Sequence, residues 1–277
     1  MNDVTKLEAE LEGWKAAIGR RQVARQRLEV ESLKRYALAL GLDATTDAVP
    51  LAHWAFFLPM AETSRLGPDG HPARGGFLPA ISLPRRMFAA AHMRFEAPLA
   101  LGEEAEMTSL VKDVRLRTGR SGALAFVEVE RSLMQQGMLR VRETQTYVYR
   151  QAGAPQPLPQ PAAQPATASE TAIEWTPGPV ELFRFSAATF NSHRIHYDLP
   201  YTREVEGYPA LVVQGPMVAA RLAGLAARRG RLARFSFRAL APLFAGQPVW
   251  LTQDGDSLRA LRCDGADAMH ADAVLAG

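Results

Sequence analysis

A single cysteine, Cys263, occurs in 277 residues. No disulfide can close within the chain and no cysteine-based zinc site can be assembled, so a reduced, cytoplasmic setting is expected. No apolar run reaches the roughly 18 residues that a membrane-spanning helix needs. The opening MNDVTKLEAELEG also lacks the basic-then-apolar order of a secretory leader. No basic run interleaved with aromatics appears, so the net charge of +3 predicts a solvated surface and no nucleic-acid partner. Phosphate-cradling glycine loops, GxSxG and HExxH are all missing. His53, His71, His92 and His270 show no metal-ligand spacing, and His71, in a Gly- and Pro-rich loop, reads as a turn residue.

What remains is an ordinary globular composition, 47% hydrophobic and 22% charged, able to bury one large core or two modest ones. The first 40 residues read as helix, with Leu7, Leu11, Trp14 and Ile18 at spacings of four, three and four along one face. From Met87 to Arg150 the pattern turns to strands. Val127 and Val129 alternate with Glu128 and Glu130, and Gly119 to Gly122 and Gln136-Gly137 mark turns of an antiparallel meander. Residues 151–170 hold five prolines and little that could anchor a core, as a linker does. The expected division is a helical extension (1–50), an N-terminal domain (51–150), the linker, and a C-terminal domain (171–277). In the last part, Gly215 to Ala227 reads as a buried helix with proline favourably at its start. Strands are expected over Arg234 to Phe244, Val249 to Gln253, Leu258 to Cys263 and Met269 to Leu275. The motif Pro-Leu-x-x-Gly occurs at Pro98 to Gly102 and again at Pro242 to Gly246, a faint echo suggesting two copies of one fold.

One segment concentrates chemistry. Phe183 to Asp198 reads FRFSAATFNSHRIHYD, and its last eight positions hold an asparagine, two histidines, an arginine and an aspartate. The apolar stretch directly upstream has the look of a strand. Titratable groups gathered at the end of a buried element are what a small-molecule site needs.

These residues resemble the MaoC-like, FAS1-type dehydratase family of hot-dog proteins, in the branch that includes mesaconyl-C4-CoA hydratase and itaconyl-CoA hydratase. The resemblance runs through LAHWAFFLP (51–59), DGHP (69–72), GFLPAISLPRRMF (76–88), GRSGALAFVEVE (119–130), TYVYR (146–150), the histidine segment itself and EGYPALVVQGP (206–216). It implies an α+β double hot-dog, two antiparallel sheets each wrapping a helix, with one active site where the halves meet. It also implies reversible hydration of a short branched dicarboxylic enoyl-CoA, with CoA as part of the substrate and no metal or redox cofactor. A carrier-protein dehydratase of fatty-acid synthesis and a non-catalytic thioester-binding protein are the alternatives. Further pairing into a homodimer stays open.

Hydrating an α,β-unsaturated thioester requires a base for water, a proton for the α-carbon and a stabilised thioester oxygen. His196 is the expected general base, because imidazole ordinarily titrates near neutral pH. Asn191 stands where broader relatives carry aspartate. A carboxamide cannot be the base, so Asn191 is expected to orient water. Gly215, opening the buried helix, is the expected oxyanion donor, although close backbone packing would also explain a glycine there. His193, Arg194, Tyr197, Val213 and Gln214 are expected along the substrate; Arg194 suits a phosphate or carboxylate, or equally an exposed loop. Asp198 suits orienting His196 or capping the next helix. Arg85 and Arg86 are candidates for a second carboxylate or the CoA pyrophosphate, or for a surface pair.

Overall fold

The computed structural model describes residues 3–43, 49–119, 122–162 and 172–277. Ten antiparallel strands form one continuous sheet. The first half supplies β1 (Arg21–Arg27), β2 (Arg85–Phe95), β3 (Glu104–Gly119), β4 (Gly122–Gln135) and β5 (Met138–Arg150). The second supplies β6 (Ile173–Trp175), β7 (Leu232–Ala239), β8 (Val249–Asp254), β9 (Ser257–Leu261) and β10 (Asp267–Leu275). The order is β1-β3-β4-β5-β2-β7-β10-β9-β8-β6. Read outward from the central β2–β7 pair, the two halves repeat one plan: β2-β5-β4-β3-β1 mirrors β7-β10-β9-β8-β6. The Pro-Leu-x-x-Gly echo falls at matching places, between β2 and β3 and between β7 and β8. Gly102 and Gly246 both turn with left-handed φ, 77° and 81°, a conformation glycine adopts without steric cost.

The strands follow their sequence patterns. Val127 and Val129 are buried at 0% and 3% exposure, while Glu128 reaches outward to Arg115 at 2.6 Å. Gln136 and Gly137 both take positive φ, 52° and 75°, the geometry of a two-residue hairpin turn whose twist matches its strands. At the other turn, β3 and β4 pair as far as Gly119 and Gly122; residues 120–121 lie outside the described residues.

Two expectations need correction. The first 40 residues are not all helix: α1 (Asp3–Lys15) and α2 (Val30–Ala39) flank β1. Strand β1, RQVARQR, is almost wholly exposed and is held by backbone pairing to β3. It has no apolar alternation to betray it, as edge strands often lack. Leu7 and Trp14 are buried as their stripe requires, but Ile18 lies beyond α1 and is 44% exposed. The apolar stretch before the histidine segment is likewise a helix, α3 (Pro179–Ala188), not a strand. Pro179 sits in its first turn, the Glu181 carboxylate accepts the Gly178 N–H at 2.9 Å, and Leu182, Phe185 and Ser186 are buried at helical spacing.

The second half packs its strands around α5 (Gly215–Ala227), whose Met217, Ala219, Leu222 and Ala223 are fully buried. In the first half the smaller α2 packs against α3 and the short helical turn Ala52–Ala55. A short α4 (Leu199–Glu204) follows the histidine segment. Residues 151–162 have no regular structure but are strapped across the second half. The Pro159 carbonyl accepts from Gln247 Nε2 at 2.6 Å, and Ala162 N donates to the Cys263 carbonyl at 2.8 Å. The rest of the proline-rich segment, 163–170, lies outside the described residues. Among the described residues no helix is long and apolar enough to cross a membrane.

Candidate active site

A cavity of about 430 Å³ opens where the two halves meet, within the roughly 300–1,000 Å³ typical of small-molecule sites. Its walls come from both: Trp54, Phe88 and Tyr147 from the first, Val213, Gly215 and Leu243 from the second. His71, Asn191, His193 and His196 line it together, as do Arg86, Arg131 and Arg150.

The histidine segment enters the cavity because α3 ends abruptly. Phe190 takes a left-handed φ of 49°, and Asn191 N donates back to the Ser186 carbonyl at 2.8 Å. Asn191 Oδ1 then accepts the His193 N–H at 3.1 Å, closing an Asx turn. A short helical turn, Arg194–His196, carries His196 inward. There Nδ1 lies 2.7 Å from the Val212 carbonyl, an acceptor that fixes the proton on Nδ1 and leaves Nε2 unprotonated. Burial lowers His196 to about 4, against the raising effect of the Val212 bond. The ring is therefore neutral at pH 7, and the expectation of titration near neutrality fails because His196 is only 7% exposed.

A second loop, ahead of β2, meets this segment. Arg194 N donates to the Asp69 carbonyl at 2.9 Å, and Arg194 Nη1 to the Pro68 carbonyl at 3.1 Å. Gly70 is pressed so close that a Cβ there would stand 1.9 Å from the Ser192 carbonyl oxygen. The approach brings the His71 ring to 4.0 Å from His193, centroid to centroid, while His193 lies 5.3 Å from His196. His71 Nδ1 is 3.0 Å from Asp69 Oδ2, and its backbone N–H donates to Oδ1 at 3.0 Å. Burial alone would raise the Asp69 carboxyl, but the His71 hydrogen bonds outweigh it and hold Asp69 well below the usual carboxylate range. Burial lowers His71, opposed by its bond to Asp69; burial and the neighbouring His71 and His196 lower His193 further. Asp69, His71 and His193 also bring donor atoms within 4.8 Å of one another, a metal-like proximity that spacing along the chain did not reveal. The Asp69 carboxylate is already taken up by His71 on both oxygens.

The other candidates divide. His193, Val213, Gly215 and Arg86 line the cavity; Arg85, Arg194, Tyr197 and Gln214 do not. The Arg85 guanidinium pairs with Glu206 at 3.1 Å, also bonds the Glu206 carbonyl, and lies over the Tyr208 ring. Arg194 pairs with Asp198 at 2.7 Å and covers the Tyr201 ring at 3.9 Å. Asp198 caps α4 by accepting the Tyr201 N–H at 3.1 Å. Tyr197 is 48% exposed and donates to the Ser192 carbonyl. Gln214 is fully buried, its amide donating to the Leu182 carbonyl and Ser186 Oγ. The structure adds His71, Arg131 and Arg150 to the cavity wall, with Asp69 behind His71, beyond the residues the sequence points to. For Asp69 and His71 a signal is present: in Asp-Gly-His the carboxylate can reach the N–H two residues on, turning the chain and holding the imidazole beside it.

Comparison with known proteins agrees with this architecture. Residues 51–245 match the family hydroxyacyl-thioester dehydratase type 2. Over 234 residues, 82% of this chain and 84% of the relative, the sequence is 46% identical to mesaconyl-C(4)-CoA hydratase of Chloroflexus aurantiacus. Among solved structures, HtdX of Mycobacterium tuberculosis superposes with a TM-score of 0.67 at 19% identity, covering 92% of this chain and 99% of that one. Another M. tuberculosis protein, described as a double hotdog fold, gives 0.52 at 11% identity over 92% and 95% of the two chains. The fold is thus a double hot-dog, and the chain belongs to the hydroxyacyl-thioester dehydratase type 2 family, as a hydro-lyase of thioester substrates.

Proposed function

We propose that the protein reversibly hydrates a short, branched, dicarboxylic enoyl-CoA of the mesaconyl or itaconyl type. The observation that carries this reading is the make-up of one cavity: histidines and Asn191 together with arginines, among apolar walls. Arg131 makes only a long hydrogen bond to the Phe57 carbonyl, 3.5 Å, and no ion pair among the described residues. Its cross-strand neighbour Glu143 feels that charge but closes no ion pair with it, so the cavity-lining guanidinium can still meet a substrate carboxylate. Similarity to a mesaconyl-C(4)-CoA hydratase supports the same class.

In this reading, Asn191 and the unprotonated Nε2 of His196 hold and polarise the attacking water. The proton that water loses is taken within the histidine cluster and returned to the α-carbon. Gly215 N–H, which bonds to no described residue, meets the thioester oxygen as charge builds there. No metal or redox cofactor takes part. The test compares mesaconyl-CoA, itaconyl-CoA, an unbranched monocarboxylic enoyl-CoA and a carrier-protein enoyl thioester, followed by the loss of enoyl-thioester absorbance. Turnover should favour the dicarboxylic CoA esters, and His196→Ala should lower kcat about 100-fold or more. Turnover of the carrier-bound thioester alone would favour a fatty-acid-synthesis dehydratase, a role the family's name also covers. Equal, background rates for wild type and variant would end the catalytic reading of the site.

A further inference from the structure

Hydration moves one proton from water to the α-carbon, and between those events the proton must rest on the enzyme. Asn191 has no basic atom to receive it. His196 is backed only by a neutral carbonyl, that of Val212. A buried imidazolium with no counter-charge is costly. The first half of the chain supplies the counter-charge instead. At the cavity wall stands an imidazole whose Nδ1 faces a carboxylate at 3.0 Å.

Resting on the hydratase reading above, we propose that His71 takes the proton that water loses and returns it to the α-carbon, with Asp69 positioning the ring and stabilising its imidazolium. An ionised carboxylate can only accept, so Nδ1 of His71 carries the proton of that bond and Nε2 holds a free lone pair. As the water oxygen bonds to the β-carbon, the π pair of the double bond shifts toward the thioester oxygen and one O–H proton passes to His71 Nε2. The pair then returns, a C–H bond forms at the α-carbon with the proton from Nε2, and His71 is neutral again. No other reactant is consumed. Dehydration runs the same steps in reverse. His193, its ring 4.0 Å from His71, and Arg86 and Arg74, whose charges also reach His71, crowd the pair with positive or potentially positive groups, and the Asp69 carboxylate opposes them.

The carboxylate missing at Asn191 is thus replaced from the other half of the chain. Gly70, between the two dyad residues, is what allows the loop to reach that far. Its backbone lies against Ser192, and the Ser192 hydroxyl donates to its carbonyl.

The test uses the full chain and whichever enoyl-CoA the wild type hydrates. His71→Ala and Asp69→Asn should each lower kcat about 100-fold or more while KM changes only a few-fold, with unchanged circular dichroism. Added imidazole should restore part of the His71→Ala rate, which a merely structural role would not allow. In Asp69→Asn the new amide N–H faces Nδ1, moving the ring proton to Nε2. That tautomer change is visible in the ¹⁵N shifts of His71 even if activity is not followed. Should His71→Ala misfold, His71→Gln, which keeps volume and polarity, decides the matter by the same kcat criterion. Wild-type kcat in these variants, or a change in KM alone, would overturn the dyad while leaving the hydratase reading intact. Activity lost on chelation and restored by zinc would overturn it too, by making Asp69, His71 and His193 ligands. A wild type inactive toward every enoyl thioester would remove the hydratase reading and the dyad together.

Discussion

At the scale of single residues, the site depends on what each group's partner leaves free. His196 gives Nδ1–H to a carbonyl and keeps Nε2; Asn191 gives Oδ1 to the chain and keeps its amide. Gly215 shows the same logic in the backbone. It begins α5, and Pro216 beside it has no N–H, so the Gly215 N–H is the donor left over at that helix end. Close packing does not explain the glycine: a Cβ there would meet nothing nearer than the Phe88 carbonyl oxygen at 3.7 Å, an ordinary contact. Gly215→Ala should therefore fold with unchanged or slightly raised Tm, since alanine favours helix. The methyl group would nevertheless stand on the cavity wall beside the proposed oxyanion donor, and kcat/KM should fall about tenfold or more. Full activity in a well-folded Gly215→Ala would move the oxyanion site elsewhere.

At the scale of elements, legibility followed periodicity. Strands β4 and β5 and helix α5 were readable because burial on one face leaves a period of two, or a continuous small-residue helix. Strand β1 was not, because an exposed edge strand leaves no apolar imprint. Helix α3 looks like a strand in the sequence because its short run is aromatic on both sides: Phe185 is buried, while Phe183 is 64% exposed. Within the site, Asn191, His193, His196 and Gly215 stand on one local segment and one helix start. Asp69 and His71 arrive by a contact about 120 residues apart in sequence, as in the Ser192–Gly70 bond, and no local pattern encodes that. The contact itself makes a prediction. Gly70 has φ +86° and no room for a Cβ, so Gly70→Ala must push the loop away from Ser192. The left-handed φ alone costs about 1–2 kcal/mol, and moving the backbone off Ser192 adds to it. Displacing a proton-handling group by about 1 Å can cost on the order of 100-fold in rate. Gly70→Ala should therefore lose far more kcat than Tm, measured on one preparation. Unchanged kcat would mean that the two loops do not work as one site.

At the scale of the whole molecule, the two copies of one strand plan are unequal. Both halves carry the same strand order, but only the second wraps the long α5. The first half instead sends the loop of Trp54, Asp69 and His71 across the junction, completing a site the second half begins. Building it there buries several imidazoles in their neutral form, which couples folding to pH. His196 is held at about 4 against 6.5 in the unfolded chain, and His71 and His193 are lowered as well. Below 6.5 the unfolded chain binds protons that the folded one refuses, so stability is complete above that pH and falls as pH drops toward 4. Asp69 and Glu143, both lowered, are ionised in the fold and act in the same direction; Glu206, raised by burial, acts in the opposite one. For His196 alone the full shift is worth about 3 kcal/mol. In a chain of this size that is about 5–10 °C in Tm. Tm should therefore be flat from pH 8 to 7 and fall by at least that amount by pH 4.5, with His196→Gln showing a shallower fall. A wild-type Tm as high at pH 4.5 as at pH 7.5 would mean that the imidazoles at the junction are not held neutral, and that the weak basicity assigned to His196 is wrong.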